Sequence, residues 1–218
     1  MPKLIVTEFL TLDGVMQGPG GAEEDTRGGF QRGGWGFQFF NEEVMQYKSD
    51  ELFATGALLI GRVTYEIFAG AWPTLTDEEI ARLAKEAGGD AESLQANTDE
   101  SNPFADRMNS LPKYVVSTTL QTVDWNNSTL IKGNVPEEVS RLKQQPGQDI
   151  VVHGSTDLVQ SLMQHRLIDE YHLMVLPIVL GSGKRLFQDG LDMKTLRLVE
   201  AKPFRTGAVV LTYQPAAK

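Results

Sequence analysis

Residues 57–66 read Ala-Leu-Leu-Ile-Gly-Arg-Val-Thr-Tyr-Glu, the clearest indication of the fold in the chain. Its four apolar residues have the length of a buried strand, and the glycine after them opens a segment with helix-forming spacing. Residues 151–156, Val-Val-His-Gly-Ser-Thr, repeat the pattern and are again followed by apolar residues at helical spacing. Two strand-to-helix turns of this kind predict an α/β protein.

Outward from these turns, strands alternate with helices and a run of strands closes the chain. The predicted strands are Leu4–Leu10, Ala57–Ile60, Lys113–Thr118, Val123–Leu130, Asp149–Val152, Glu170–Leu180, Thr195–Glu200 and Val209–Tyr213. Asn41 has the chemistry of a helix N-cap, and Val135–Gln145 is a further predicted helix. The order predicts a three-layer fold with a mixed, mostly parallel sheet, helices on both faces and an antiparallel C-terminal end.

Composition narrows the class of protein. The chain has 218 residues and no cysteine, so we expect one domain spanning 1–218, without disulfides or thiolate metal sites. The net charge is −9, with nine acidic and two basic residues between Thr76 and Asp106, and residues 76–105 are predicted to be an acidic surface insertion. This charge argues against a nucleic-acid partner. No apolar run is long enough for a membrane span or export signal, so a cytoplasmic protein is expected.

A glycine-rich segment follows the first strand. Nine of the 21 glycines lie between Gly14 and Gly36, where they widen the range of backbone angles and raise the entropy of an open loop. Long loops inside compact domains are usually functional, which predicts a mobile lid or wall beside a site. Asp13, just before the loop, has two possible roles: a turn residue that bonds its own backbone, or a carboxyl that works at the site.

Both strand-to-helix turns have the composition of an anion site. A helix start presents backbone N–H groups that have no partner within the helix, and glycine lets a ligand approach the backbone. Arg62 adds a planar cation suited to phosphate, and Thr64 adds a hydroxyl. Gly154, Ser155 and Thr156 offer the same geometry with hydroxyls in place of the cation. Each turn alone is equally compatible with an ordinary capped helix, so the pair is more informative than either.

Standard nucleotide and metal motifs do not explain these turns. The first strand is not followed by G-x-G-x-x-G, and Gly181-Ser182-Gly183-Lys184 lacks the flanking residues of a P-loop. The three histidines, at 153, 165 and 172, are not spaced like metal ligands, so no metal site is predicted.

Taken in order, these segments resemble the dihydrofolate reductase-like family. They resemble most closely the reductase domain of the bifunctional riboflavin-biosynthesis deaminase/reductase and its stand-alone relatives. The segments that carry the resemblance are Thr11-Leu12-Asp13-Gly14, residues 61–66, residues 113–118, His153-Gly154-Ser155 and residues 176–187. The zinc deaminase half requires a P-C-x-x-C element, which this cysteine-free chain lacks.

The resemblance implies NADPH as cofactor and assigns roles by position. Arg62 would face the 2′-phosphate, with Thr64 and the Gly61 backbone near the phosphates. Ser117 and Thr118 would flank the adenosine end, and Gly154, Ser155 and Thr156 would hold the pyrophosphate. Gly14 and the loop that it opens would cover the nicotinamide, with Asp13 as the catalytic candidate. His153 replaces one of the paired glycines of many relatives. The helix carboxylate that dihydrofolate reductases use on the pterin has no clear counterpart: Glu42 and Glu43 lie in roughly the right helix, but the helix dipole explains them equally well.

The function that the resemblance implies is hydride transfer from NADPH to a small polar substrate. In the riboflavin pathway that substrate is 5-amino-6-(5-phosphoribosylamino)uracil. Two alternatives stay open: a dihydrofolate or other pteridine reductase, and a non-catalytic NADP-binding or regulatory protein on the same fold. A homodimer is also possible.

Overall fold

The structure is a computed structural model that describes residues 1–86, 88, 102–190 and 192–216. Within these residues one sheet has eight strands in the order β4-β3-β2-β5-β1-β6-β8-β7. The strands are β1 (Leu4–Thr11), β2 (Thr55–Gly61), β3 (Lys113–Val116), β4 (Ser128–Ile131), β5 (Asp149–His153), β6 (Glu170–Leu176), β7 (Leu196–Pro203) and β8 (Val209–Pro215).

Helices cover both faces of this sheet. They are α1 (Glu42–Ala54), α2 (Arg62–Ala71), α3 (Asp77–Glu86), α4 (Pro103–Ser110), α5 (Val135–Lys143) and α6 (Thr156–Gln164). Leu52 of α1, Tyr65 of α2 and Met108 of α4 pack in one core cluster with buried residues of β2 and β3. Val139 of α5 and Leu162 of α6 belong to another cluster, with alternate residues of β1 and β5. The predicted layers are therefore confirmed.

The first strand of the chain lies in the middle of the sheet. β1 pairs in parallel with β5 on one side and with β6 on the other. β6 pairs with β8, and β8 with β7, in antiparallel fashion, as predicted for the C-terminal end. The β1–β5 register ends at Thr7↔His153, whereas the β1–β6 register continues to Thr11↔Leu176. The carboxyl half of β1 is thus separated from β5 at the edge where α/β proteins bind ligands.

Local chemistry shortens three of the predicted strands. β6 ends at Leu176 because Pro177 has no N–H to donate to a neighbouring strand. β3 ends at Val116 because the Ser117 hydroxyl accepts the N–H groups of Thr119 and Leu120 and turns the chain. The segment predicted as Val123–Leu130 becomes a strand only at Ser128, since the Tyr65 hydroxyl accepts backbone N–H groups before it.

The helix start predicted at Asn41 is confirmed, because its Oδ1 accepts the Val44 N–H at 3.0 Å. The acidic segment is described only at its two ends, since residues 87 and 89–101 lie outside the described residues. At one end α3 buries Ile80 and contacts the short 3-10 turn Phe37–Phe39. At the other end Asn102 caps α4 and Ala105 is buried. The treatment of 76–105 as an insertion stays a prediction. Among the described residues, none of the helices is both long and apolar enough to cross a membrane.

Candidate functional site

The two strand-to-helix turns singled out in the sequence are joined by hydrogen bonds. β2 and β5 are parallel neighbours, with Leu59 opposite Val152, so both turns leave the same edge of the sheet side by side. The Ser155 hydroxyl oxygen accepts the Gly61 N–H at 2.8 Å and lies 2.8 Å from Thr64 Oγ1. One serine of the second turn thus organises the backbone and the hydroxyl of the first turn.

Both turns require glycine where the sequence has it. Gly154 has φ +61°, and a Cβ there would lie 2.7 Å from Thr64 Oγ1. At Gly61 a Cβ would lie 2.5 Å from Ser155 Oγ. Ser155 itself has φ 64°, a left-handed conformation that is strained for a residue with a side chain. The closeness of the two turns is therefore specified by residue size as well as by hydrogen bonds.

The helices that start at these turns present donors at this edge. In the described part of the chain, neither α2 nor α6 has its N-terminus capped by a side chain. The first N–H groups of each helix therefore lack intrahelical partners and carry the positive end of the helix dipole. Two adjacent helix starts of this kind suit a ligand with two anionic groups.

The other predicted cofactor residues differ in exposure and in their contacts. Arg62 is half-exposed at the start of α2, and its Nη1 lies 3.0 Å from Glu66 Oε2 in an i,i+4 ion pair. Gly61 pairs with Val116, so Ser117 and Thr118 continue from β3 at the same sheet edge. Ser117 is buried and its hydroxyl is used within its own turn, whereas Thr118 is exposed. Of these side chains, those of Arg62 and Thr118 are accessible to a ligand.

Asp13 is held by a set of donors. Its carboxylate accepts the Thr11 hydroxyl at 2.7 Å and the N–H groups of Leu180 and Gly181 at 3.1 and 2.8 Å. The Thr11 bond is the largest cause that lowers its pKa, to about 2, and both backbone bonds act in the same direction. A carboxyl that donates a proton near neutral pH needs a raised pKa instead. Of the two roles left open by the sequence, these contacts favour the structural one.

The glycine-rich loop is packed over much of its length. Gly14, at φ +79°, starts it, and Val15 forms a β-bridge to Arg185. Val15, Met16, Phe30 and Trp35 are buried, and the Trp35 indole N–H donates to the Gln17 carbonyl. Residues 22–23, 26–29 and 31–32 are exposed, and the longest exposed run, 26–29, includes Arg27. The segment is thus a packed wall with a short exposed tip, residues 26–29. Only this tip remains a candidate for the mobile lid predicted for residues 14–36.

A cation in the tip of the loop is affected by charges near the starts of α2 and α6. The pKa of Arg27 is raised, mainly by its hydrogen bond to Asp25, and the charges of Asp157 on α6 and Glu66 on α2 contribute to the rise. Coulombic effects of this kind require proximity, so Arg27 brings a second cation to the region of Arg62. Arg27 was not among the site residues predicted from sequence, because it has no local signal beyond its place in the loop.

A buried polar network under α1 was also missed. Lys48 and Glu51 form an ion pair, and Lys48 Nζ also donates to the Thr7 hydroxyl at 3.1 Å. His172 of β6 lies 2.9 Å from Glu51 and 2.8 Å from Glu170. Burial alone would lower the pKa of His172, but its hydrogen bonds to the two carboxylates raise it above the ordinary value. The available signal was the place of Lys48 between Val44 and Leu52, on the buried face of the helix.

The carboxylates expected at the start of α1 do not join this network. Glu42 and Glu43 are exposed in the first turn, and Glu43 accepts the Arg205 N–H at 3.3 Å. Their position agrees with the helix-dipole explanation. His153, by contrast, is enclosed beside the Phe68 ring, and burial lowers its pKa to about 4, so it is neutral at pH 7.

Comparisons with known proteins agree with this fold. The family model described as the RibD C-terminal domain matches residues 2–210. A structure from Shewanella sp. PV-4, described as a riboflavin biosynthesis protein, superposes with a TM-score of 0.67 at 19% identity and covers 99% of both chains. Enterococcus faecalis dihydrofolate reductase, solved with NADP(H), has a TM-score of 0.58 at 12% identity over 99% of this chain and 97% of its own. The dihydrofolate reductase-like fold is thereby confirmed.

A pyrimidine reductase-like protein of Corynebacterium diphtheriae has a TM-score of 0.59 at 12% identity and covers 100% of this chain and 93% of its own. Two uncharacterized Bacillus subtilis proteins are similar in sequence. YyaP is 38% identical over 106 residues, which is 49% of this chain. YwjB is 34% identical over 91 residues, which is 42% of this chain. The matched segments span 56% and 52% of the lengths of these two relatives.

Proposed function

The chain belongs to the family of the RibD C-terminal domain, and from this membership together with the paired turns we propose that it is an NADPH-dependent reductase. The observation that carries the proposal is the Ser155 hydroxyl, which joins the turn after β2 to the turn after β5. Two anion-binding helix starts fixed side by side fit a cofactor that has a diphosphate and a further phosphate on its adenosine ribose.

The residues present fit such a cofactor. The backbone cradle exists only because Gly61 and Gly154 lack side chains, since a Cβ at either position would meet a hydroxyl oxygen of the opposite turn. Thr64, Ser155 and Thr156 would hold the diphosphate through hydroxyl and backbone donors. Arg62 would contact the 2′-phosphate once it left Glu66, and Thr118 would lie at the adenosine end. The Ser117 side chain would support its turn.

When bound, the nicotinamide supplies the hydride, so the chain itself mainly orients and encloses the reactants. Because the pairing of β1 with β5 ends at Thr7, the carboxyl half of β1 lies at the sheet edge beside the cradle. The wall formed by residues 14–36 would exclude water on one side. In this proposal Asp13 and Gly14 shape the wall: the Asp13 carboxylate ties it to the N–H groups of Leu180 and Gly181, and Gly14 starts it at a positive φ.

The proposed substrate is a small polar molecule with a reducible carbonyl or imine-like carbon. Family membership favours 5-amino-6-(5-phosphoribosylamino)uracil or a close analogue. The proposal includes a cytoplasmic location and a homodimer. Turnover of a ribosylaminopyrimidine would distinguish this protein from a pteridine reductase. NADPH binding without turnover of any substrate would indicate the non-catalytic alternative.

The cradle is tested by replacing the glycine that admits the ligand. Gly154→Ala places a methyl group against Thr64 and strains a left-handed backbone, so NADPH affinity should fall at least tenfold, equivalent to about 1.4 kcal/mol. Gly133→Ala is the matched control, because a Cβ there has no neighbour within 4 Å among the described residues. Calorimetric titration with NADPH gives both affinities, and thermal melting shows that the variants fold. Equal affinities in the two variants would remove the cradle from the cofactor site.

The choice between NADPH and NADH is tested at Arg62. Arg62→Ala should weaken NADPH binding by about 1.5–3 kcal/mol, the range for hydrogen bonds to charged groups, and leave NADH almost unchanged. Arg141→Ala is the control, since Arg141 is also exposed and paired within its own helix, to Glu138. Glu66→Gln should tighten NADPH by releasing the guanidinium. Equal losses for both cofactors in Arg62→Ala would contradict the assignment.

A further inference from the structure

An acidic side chain is buried where β1 and β5 separate. Glu8 follows Thr7, the last residue of β1 that pairs with β5, while on its other side it still pairs with Leu173 of β6. Only 8% of Glu8 is exposed. Side chains alternate along a strand, so Glu8 points to the same face as Val6 and Leu10, toward the core that α6 covers.

One oxygen of this carboxyl is buried without a hydrogen-bond partner among the described residues. That buried oxygen is Glu8 Oε1. Gly154, in the cradle, comes next to Glu8 across the strand edge, because Thr7 pairs with His153, and its N–H acts to lower the Glu8 pKa. Gln160 of α6 shows the same pattern, since its amide nitrogen donates to the Leu186 carbonyl while its Oε1 has no partner in the described chain. Buried oxygens without partners are rare and point to an absent donor or ligand.

The surroundings keep this carboxyl neutral at pH 7. Burial raises the pKa of Glu8 to about 8, and Lys48 and the Gly154 N–H offset only part of that rise. Glu51, beside Lys48 on α1, acts in the raising direction. Other titratable groups lie on the neighbouring elements. His153 on β5 is uncharged at this pH, and His172 on β6 is hydrogen-bonded to Glu51 and Glu170. Asp157, the charged residue of α6, is exposed to solvent.

We propose that Glu8 is a cofactor-binding residue. In its protonated form, its unpartnered oxygen donates a hydrogen bond to the dinucleotide held by the Gly154 turn. This rests on the proposed function. A protonated carboxyl supplies the donor that an acceptor atom of the cofactor needs, whereas an ionised one would offer no donor and would repel the phosphates. Binding therefore requires the proton on Glu8.

The test is the pH dependence of NADPH affinity in wild type and Glu8→Gln, measured by calorimetry from pH 6.5 to 9. The 2′-phosphate, with a second pKa of about 6, is largely ionised from pH 7 upward. Wild-type affinity should fall about tenfold between pH 7 and 9, because one unit above its pKa only about a tenth of Glu8 keeps the proton. Glu8→Gln keeps the size and a donor and cannot ionise, so its affinity should stay level. Asp50→Asn, an exposed change on α1, should follow wild type.

A second measurement needs no cofactor. The Gly154 amide NMR signal of the unliganded protein should titrate near pH 8 in wild type and not in Glu8→Gln. Matching pH profiles of affinity in wild type and Glu8→Gln would overturn the role of Glu8 and leave the proposed function standing. Absence of NADPH binding to wild type at every pH would overturn both, and the amide titration would still report the charge of Glu8.

Discussion

At the scale of single residues, Asp13 shows how a position can suit catalysis while its contacts serve stability. It receives one hydroxyl and two backbone donors, and the Arg185 Nε donates to its carbonyl at 2.9 Å. A carboxylate that accepts this many bonds holds two distant parts of the chain together and, with its lowered pKa, carries no proton to donate at neutral pH.

Asp13→Asn should therefore lower stability at pH 7 by about 1–2 kcal/mol, because an amide retains one acceptor oxygen and loses the charge. The folded pKa, about 2, lies below the ordinary value of 3.8, so the carboxylate stabilises the fold above pH 4 and this contribution is lost as pH falls toward 2. Melting temperatures of wild type and variant should converge over that range. Asp50→Asn serves as the exposed control. Slower turnover at unchanged melting temperature would restore a proton-transfer role for Asp13.

At the scale of elements, the glycine-rich wall has two parts with different freedom. Its packed part is tied to residues 180–186 by the Val15–Arg185 bridge, by the Lys184 N–H to Gln17 and by Arg32 to the Leu180 carbonyl. The tip has Gly28 and Gly29 at positive φ, with space around both. Motion on ligand binding should be confined to this tip.

Limited trypsin digestion separates the two parts. Cleavage after Arg27 should be fast in the unliganded protein and should slow at least several-fold with saturating NADPH, since charges on both helices to which we assign the cofactor act on Arg27. Cleavage after Arg32 should be slow in both states, because Arg32 is tied to the distant Leu180 carbonyl, whereas the Arg27 guanidinium bonds only the neighbouring Asp25 among the described residues. Protection at neither or at both sites would contradict the division. Mass spectrometry of the fragments assigns each cut.

Features specified by residues adjacent in the chain could be predicted from sequence, whereas contacts between distant residues could not. The turns at Gly61 and Gly154 were predicted because strand, glycine and helix start are adjacent in the chain. Even the early end of β6 had a local cause in Pro177. The network under α1 could not be predicted, because its bond between His172 and Glu51 joins residues 121 positions apart. Glu8 did have a local signal, an acid within an apolar strand, but its lack of a partner depends on the whole fold.

At the scale of the whole molecule, the His172 network makes stability depend on pH. The folded pKa of His172 is raised, so its charge stabilises the protein fully below the unfolded value of about 6.5, and this contribution is lost as pH rises through the folded pKa. His172→Gln should therefore lower the melting temperature at pH 5.5 more than at pH 9. His165→Gln is the control, since His165 is exposed at the end of α6. An equal effect of His172→Gln at both pH values would show that its charge is not involved.

The central place of β1 has a consequence for synthesis in the cell. β1 leaves the ribosome before any of its partners, and β6, its partner over seven residue pairs, ends 165 residues later. At about 5–20 residues per second, the ribosome needs roughly 8–33 s to supply that partner. Until the end of this interval the apolar strand Leu4–Thr11 lacks its full set of strand partners, although α1 is made early and β5 shortly before β6. The nascent chain should thus depend on chaperones that bind emerging apolar segments, and slow translation should lengthen that dependence.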